Sequence, residues 1–176
     1  MKYFTNPFDN ISFYKNITVD IMKLDLLLLG KTKDAFIEQG IQEYSGRLKH
    51  YTSITLTTLK VKKKKGWTGE KERQEEGRIL LGSVPPAAVK VVLDSGGRQV
   101  TSEELAALIS RWEQEGRKQA SFLIGGPTGH SKEVLQQADV LLSLSRMTFT
   151  HDMVRLFLLE QLYRAYTIKA GEKYHK

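Results

Sequence analysis

The chain contains no cysteine. Disulfides, zinc–thiolate centres and thiol nucleophiles are excluded, and the absence fits a cytoplasmic protein. Long apolar runs are missing as well. The longest, Leu26–Leu29 with its flanks, falls far short of the ~20 residues that cross a bilayer, so no membrane partner is expected. Histidine is scarce. His50, His130, His151 and His175 include no pair four apart and no H-E-x-x-H, so no metal site is expected. Acidic residues are the minority, 20 against 27 Lys and Arg. The resulting net charge of +7, with a pI near 9.5, favours a polyanionic partner.

What is present fits one domain. A length of 176 residues allows a single real core and hardly two. Residues 1–21 are rich in Asn, Phe and Tyr and follow no consistent period. They also lack the uninterrupted apolar stretch of a secretory signal. They read as an extension, and residues 22–176 as the domain, with Met22 as the expected natural start. Lys2 and Lys15 cancel Asp9 and Asp20, so the positive charge belongs to the domain.

Strand and helix patterns alternate along the domain. Leu24–Leu29 reads as a buried strand, Lys33–Lys49 as a helix and Ile54–Val61 as a Thr-rich strand. A basic loop, Lys60–Trp67, contains Lys62–Lys65. A solvated loop is the ordinary use of such a run; sequence-independent phosphate contact is the functional one. Thr68–Leu81 is a helix with Thr68 as its N-cap, and Val89–Leu93 is a strand ended by the turn Asp94–Gly97. Thr101 and Glu104 have capping-box spacing and open a helix reaching about Glu115. Ala120–Ile124 is a strand, Ser131–Gln137 a short helix, Leu141–Leu144 a strand and His151–Ala170 the last helix. This alternation predicts an α/β fold, with a mainly parallel sheet and helices on both faces.

Several nucleotide and hydrolase signatures are absent. Gly30-Lys31-Thr32 resembles the end of a phosphate loop, but Asp25 stands where that motif needs glycine. Neither G-x-G-x-x-G nor G-x-S-x-G occurs. The informative region is Gly125-Gly126-Pro127-Thr128-Gly129, directly after a strand. Its three glycines in five positions either connect strand to helix or let backbone amides approach a ligand. Arg155 lies near the N-terminus of the last helix, where a cation opposes the helix dipole. That points to an anionic partner, and Arg164 and Lys169 read as lying near the same side.

The ordered set Ile124–Gly129, Leu144–His151, Arg155-Leu156, Glu160–Ala165 and Tyr174-His175-Lys176 resembles the ribosomal RNA large-subunit methyltransferase H family. That family belongs to the SPOUT class of knotted methyltransferases, and the resemblance covers residues 22–176. Thr150 departs from it, standing where many members carry proline. The resemblance implies a C-terminal deep trefoil knot, S-adenosyl-L-methionine as cofactor, and methylation of N3 of a pseudouridine in 23S rRNA of the assembled ribosome. It also implies a homodimer. The cofactor-binding positions would be Leu93, Gly125, Leu144, Ser145, Arg146, Met147, Thr148 and Phe149. His151, Arg155, Tyr174 and His175 would serve catalysis; Arg155, Arg164 and Lys176 would hold RNA. An imide N3–H must lose its proton, and His151, His175 and Tyr174 all remain candidates for the base.

Three readings compete. A non-catalytic ribosome-binding protein would bind no cofactor. A knotted methyltransferase aimed at tRNA or at a ribose 2′-hydroxyl would prefer naked tRNA to ribosomes. A structural domain would use the glycine turn only as a connection. The extension gives a first test. A chain beginning at Met22 should melt within about two degrees of the full chain, a shift of at most about 1 kcal/mol for a domain of this size. Loss of several degrees would make residues 1–21 part of the fold.

Overall fold

The computed structural model describes residues 22–62, 66–172 and 174. The expectations for residues 1–21, Lys63–Lys65, His175 and Lys176 lie outside the described residues. The strands are β1 (Lys23–Leu29), β2 (Ile54–Leu59), β3 (Val89–Gln99), β4 (Gln119–Ile124) and β5 (Val140–Ser143). The helices are α1 (Ala35–Leu48), α2 (Gly69–Gly82), α3 (Ser102–Gln114), α4 (Lys132–Gln136) and α5 (His151–Lys169). One sheet runs in the order β2-β1-β4-β3-β5, and every neighbouring pair is parallel. The predicted α/β class is therefore found. All five C-terminal strand ends lie along one edge of the sheet.

Both faces of the sheet are covered, so β1 is apolar almost throughout. Leu24, Leu26 and Leu28 join the larger core, with Ile37 and Ile41 of α1, Ile109 of α3 and Leu158, Leu159 and Leu162 of α5. Leu27 and Leu29 face the other way and pack with Leu80 of α2, Val92, Leu123 and Val134 of α4. Each fully buried leucine contributes on the order of 1.5–3 kcal/mol. Asp25 interrupts the run; its carboxylate is taken up by the Gln119 amide on the neighbouring strand.

Local chemistry sets the helix starts. Asp34 accepts from the Phe36 and Ile37 amides, so α1 begins at Ala35 and not at Lys33. The expected capping box between Thr101 and Glu104 is complete, and Thr68 caps α2. Thr150 accepts from Met153 N and caps α5. α5 lies between α1 and α3. Leu156 sits so close to Gly40 that a Cβ there would meet its Cδ1 at 2.8 Å. On the other flank Ser102 Oγ donates to Gln161, and Lys169 Nζ lies 2.7 Å from Glu113.

The expected turn at Asp94–Gly97 is corrected by the structure. β3 continues through it to Gln99, because β5 pairs with β3 on both sides of these residues. Leu93 and Arg98 both align with Leu142, so the four residues between them form an excursion from the ladder. Asp94 Oδ1 closes its base by accepting from Gly96 N at 2.8 Å. Gly97 then returns beside β5. A Cβ on it would lie 2.7 Å from the Leu141 and Leu142 carbonyl carbons, which are backbone and cannot swing away. Gly97→Ala should therefore cost on the order of 1–3 kcal/mol in urea unfolding, the scale of an overpacked core. Unchanged stability would mean that β5 is free to move from β3.

Candidate functional site

A cavity of about 610 Å³ opens at the C-terminal ends of β3, β4 and β5. In an open α/β sheet this edge is where ligands sit, and the volume suits a small-molecule site. Three segments build it. The first is Leu93 with Asp94 and Ser95 from the β3 excursion; the second is the glycine turn after β4; the third is the loop after β5. The walls are mainly apolar, with Ile124, Leu142, Leu144 and Val154 among them.

The chain folds this way for local reasons. Gly129 has φ +76°, a left-handed conformation that closes the glycine turn at little cost only for glycine. Gly125 has no room for a side chain: a Cβ would lie 3.0 Å from His130 Cε1. A Cβ on Gly126 would meet the Glu76 carboxylate of α2 at 2.9 Å. The loop after β5 is shaped by its serines. Ser143 Oγ donates to Ser145 O at 2.9 Å, and Ser145 Oγ accepts from Met147 N at 3.0 Å. Met147 and Phe149 are left 72% and 39% exposed. The Phe149 ring meets Phe157 edge-on at 4.9 Å.

Of the eight cofactor positions expected, Leu93, Gly125, Leu144, Ser145, Met147, Thr148 and Phe149 line this cavity. Arg146 is exposed and is not among the lining residues. His151 lines it, with Nε2 3.4 Å from Asp152 Oδ1. His130 and Asp94 also line it, although neither has a role in the reading of the motifs. The available signal was position: His130 closes the glycine turn and Asp94 ends the apolar part of β3.

Arg155 departs from expectation. Its side chain is 0% exposed, so it does not present a surface for RNA. The guanidinium donates to the Leu29 carbonyl at 2.7 Å and to Thr32 Oγ1 at 2.9 Å, and it pairs with Asp152 at 3.2 Å. Burial lowers its pKa, while Asp152 and Glu38 oppose that shift. The helix-dipole argument overlooked Asp152, which neutralises the cation within the same turn. Lys33 N also donates to Asp152 Oδ2. Arg155 thus ties the start of α5 to the end of β1.

Arg155 and Arg164 do not share a side of α5: nine residues at about 100° each set them about half a turn apart, while Lys169 lies about 40° from Arg155. Arg164 pairs with Glu160 at 2.6 Å, and Lys169 pairs with Glu113. Tyr174 is also more than a loose end. Its ring packs edge-on against Tyr163 at 4.7 Å, and the Arg164 guanidinium lies 5.0 Å from its centroid. His151 and Tyr163 are twelve residues apart on one helix. At 1.5 Å per residue that is about 18 Å, and about 14 Å from Val154, the last α5 residue at the cavity, so Tyr174 is remote from the cavity.

Among the described residues, no group of three or more His, Asp or Glu could hold a metal ion. No described helix is long and apolar enough to cross a membrane.

Residues 22–175 match the family model described as "Predicted SPOUT methyltransferase". The chain is 56% identical over 155 residues to the ribosomal RNA large subunit methyltransferase H of Desulfotalea psychrophila, covering 88% of this chain and 100% of that one. It is 47% identical over 154 residues to the protein of the same name from Trichlorobacter lovleyi, covering 88% and 99%. Among solved structures, a probable methylase family protein from Haemophilus influenzae Rd KW20 aligns with TM-score 0.51 and 12% identity, over 90% of this chain and 70% of that one. That likeness concerns the fold alone.

The Arg155 clamp yields a test. Removing one partner of a buried ion pair strands the other, so Arg155→Met should lower unfolding stability by about 3 kcal/mol. The loss should appear in urea titrations without RNA. Native-like stability would return Arg155 to the pool of residues kept for a ligand.

Proposed function

The chain belongs to the SPOUT methyltransferase family, among the ribosomal RNA large subunit methyltransferase H proteins, and we propose that it methylates N3 of a pseudouridine in 23S rRNA of the assembled ribosome, in the cytoplasm and as a homodimer. The observation that carries this reading is the cavity. It gathers from three strand ends seven of the eight residues that the family resemblance assigns to S-adenosyl-L-methionine. Apolar walls with a glycine turn against them suit an adenine ring and its backbone hydrogen bonds. The cofactor, when bound, supplies an activated methyl group.

The chain's own residues have separable tasks. Leu93, Leu142 and Leu144 exclude water from the cavity, and Gly125 keeps the wall thin. His151 stands at the cavity and is the protomer's own candidate to take the N3 proton, with Asp152 beside it. Tyr174 is a poor proton acceptor, because burial and a hydrogen bond with Tyr44 raise its pKa. A stacking role against a base suits it better. Its distance from the cavity in one protomer favours delivery of the tail to the partner's site. Exposed Phe36, at 78%, and Met147 leave apolar surface for a second subunit to cover. The deep trefoil knot belongs to the same reading.

Labelled S-adenosyl-L-methionine offered with ribosomes, naked 23S rRNA and tRNA tests the reading. Label should enter ribosomes, and nucleoside mass spectrometry should find it on N3 of pseudouridine. Label in tRNA, or on a ribose, would select the other knotted activity. No incorporation and no cofactor binding would leave a ribosome-binding protein. Deleting residues 174–176 should reduce transfer at least ~100-fold, the scale of a lost acid–base or positioning group, with S-adenosylhomocysteine affinity nearly unchanged. Equal losses in both would place the tail in the cofactor pocket.

A further inference from the structure

His130 lines the cavity and touches two of its walls. Its Nε2 lies 3.0 Å from the Leu93 carbonyl oxygen at the end of β3. Its ring also fills the space over Gly125 at the end of β4, with Cε1, Nε2 and Nδ1 at 3.0, 3.1 and 3.3 Å from where a Cβ would be. β3 and β4 are already paired up to Leu93 and Ile124, and there the ladder between them stops. His130 forms the next link, made by a side chain where backbone hydrogen bonds have ended.

We propose that His130 is a positioning residue: its Nε2–H bond to the Leu93 carbonyl and its ring on Gly125 fix the spacing of the two strand ends that grip the cofactor. The inference rests on the proposed function for its cofactor but on geometry for its bond. A carbonyl only accepts, so Nε2 must carry the proton. Nδ1 is buried and has no hydrogen-bond partner among the described residues. The ring is therefore held in its neutral form with a bare Nδ1. Burial lowers its pKa below the ordinary 6.5, against weaker opposing effects from the Leu93 carbonyl and the Asp94 charge. The other titratable groups around it are Glu76, behind the glycine turn on α2, and His151, across the cavity at the start of α5. Lys132 and Glu133 follow on α4 and are exposed.

The sign of the pH effect follows. The folded state resists a proton that the unfolded chain accepts near pH 6.5. Stability from this group is complete above that value and declines as pH falls from about 6.5 toward the lower folded pKa. Protonation would also put an N–H at Nδ1 where nothing receives it.

The test uses the full-length protein. Imidazole ¹⁵N chemical shifts at pH 7.5 should show His130 as the Nε2–H tautomer. S-adenosylhomocysteine titrated by calorimetry should bind His130→Leu about tenfold more weakly than the parent, the scale of one lost hydrogen bond. His130→Gln, whose amide can donate to the same carbonyl, should stay within about threefold. The parent should lose more stability below pH 6.5 than His130→Gln does. An Nδ1–H tautomer, parent-like affinity in the leucine variant, or equal weakening in both variants would overturn the proposal. Should the leucine variant not fold, the tautomer, the glutamine variant and the pH difference still decide. Should the parent bind no S-adenosylhomocysteine, the functional reading fails, and the tautomer and the pH difference alone judge the link.

Discussion

β5 pairs with β3 on both sides of the residues 94–97, and the site depends on that double pairing. It forces β3 to leave the ladder and return, which brings Asp94 and Ser95 to the cavity. It demands a residue without a side chain at position 97, where backbone passes backbone. It also fixes where β5 ends, and so where the loop from Leu144 to Thr150 can hang. The cavity is bounded by the ends of three parallel strands because one of them is gripped at two registers by its neighbour.

The last helix completes this arrangement from a distance. α5 starts where the loop after β5 stops, and Thr150 fixes that start through a side-chain bond to Met153 N. Arg155 then joins the helix to the Leu29 carbonyl at the end of β1. His151, Asp152 and Arg155 form a line from the cavity to the far part of the sheet. The charge of Arg155 is used inside the protein, where Asp152 pairs with it and Leu29 O and Thr32 Oγ1 accept from its two terminal nitrogens. The positive surface that a polyanion would meet must come from other residues.

Most of the architecture was legible because each element carries its own period or cap. Leu24–Leu29, the Thr101–Glu104 box and the Thr68 cap are local signals, and the structure uses all three. The glycine turn was legible as a place of close approach, though not as a surface against His130 and Glu76. Failures arose where a partner distant in sequence decides. Asp94–Gly97 has the composition of a turn, and only β5, more than forty residues later, makes it part of a strand. Arg155 looked like a ligand for an anion because the acceptor that completes its site, Leu29 O, is separated from it by 126 positions. The seat of Tyr174 on Tyr163 and Arg164 likewise cannot be seen until the helix has folded.

The same long-range links govern the order in which the molecule is made. β1 waits for β4, since Leu24 aligns with Ala120, and the end of β1 waits further for Arg155. Such distant closures are slow, because loop entropy is lost before contacts compensate. During synthesis β1, α1 and β2 emerge first and can meet early; β5 and α5 leave the ribosome last. Every wall of the cavity except the end of β3 and the glycine turn lies in that final segment. A nascent chain halted before it owns four of the five strands and an unfinished cavity, so this protein gains its capacity to bind only when the last strand and helix are in place.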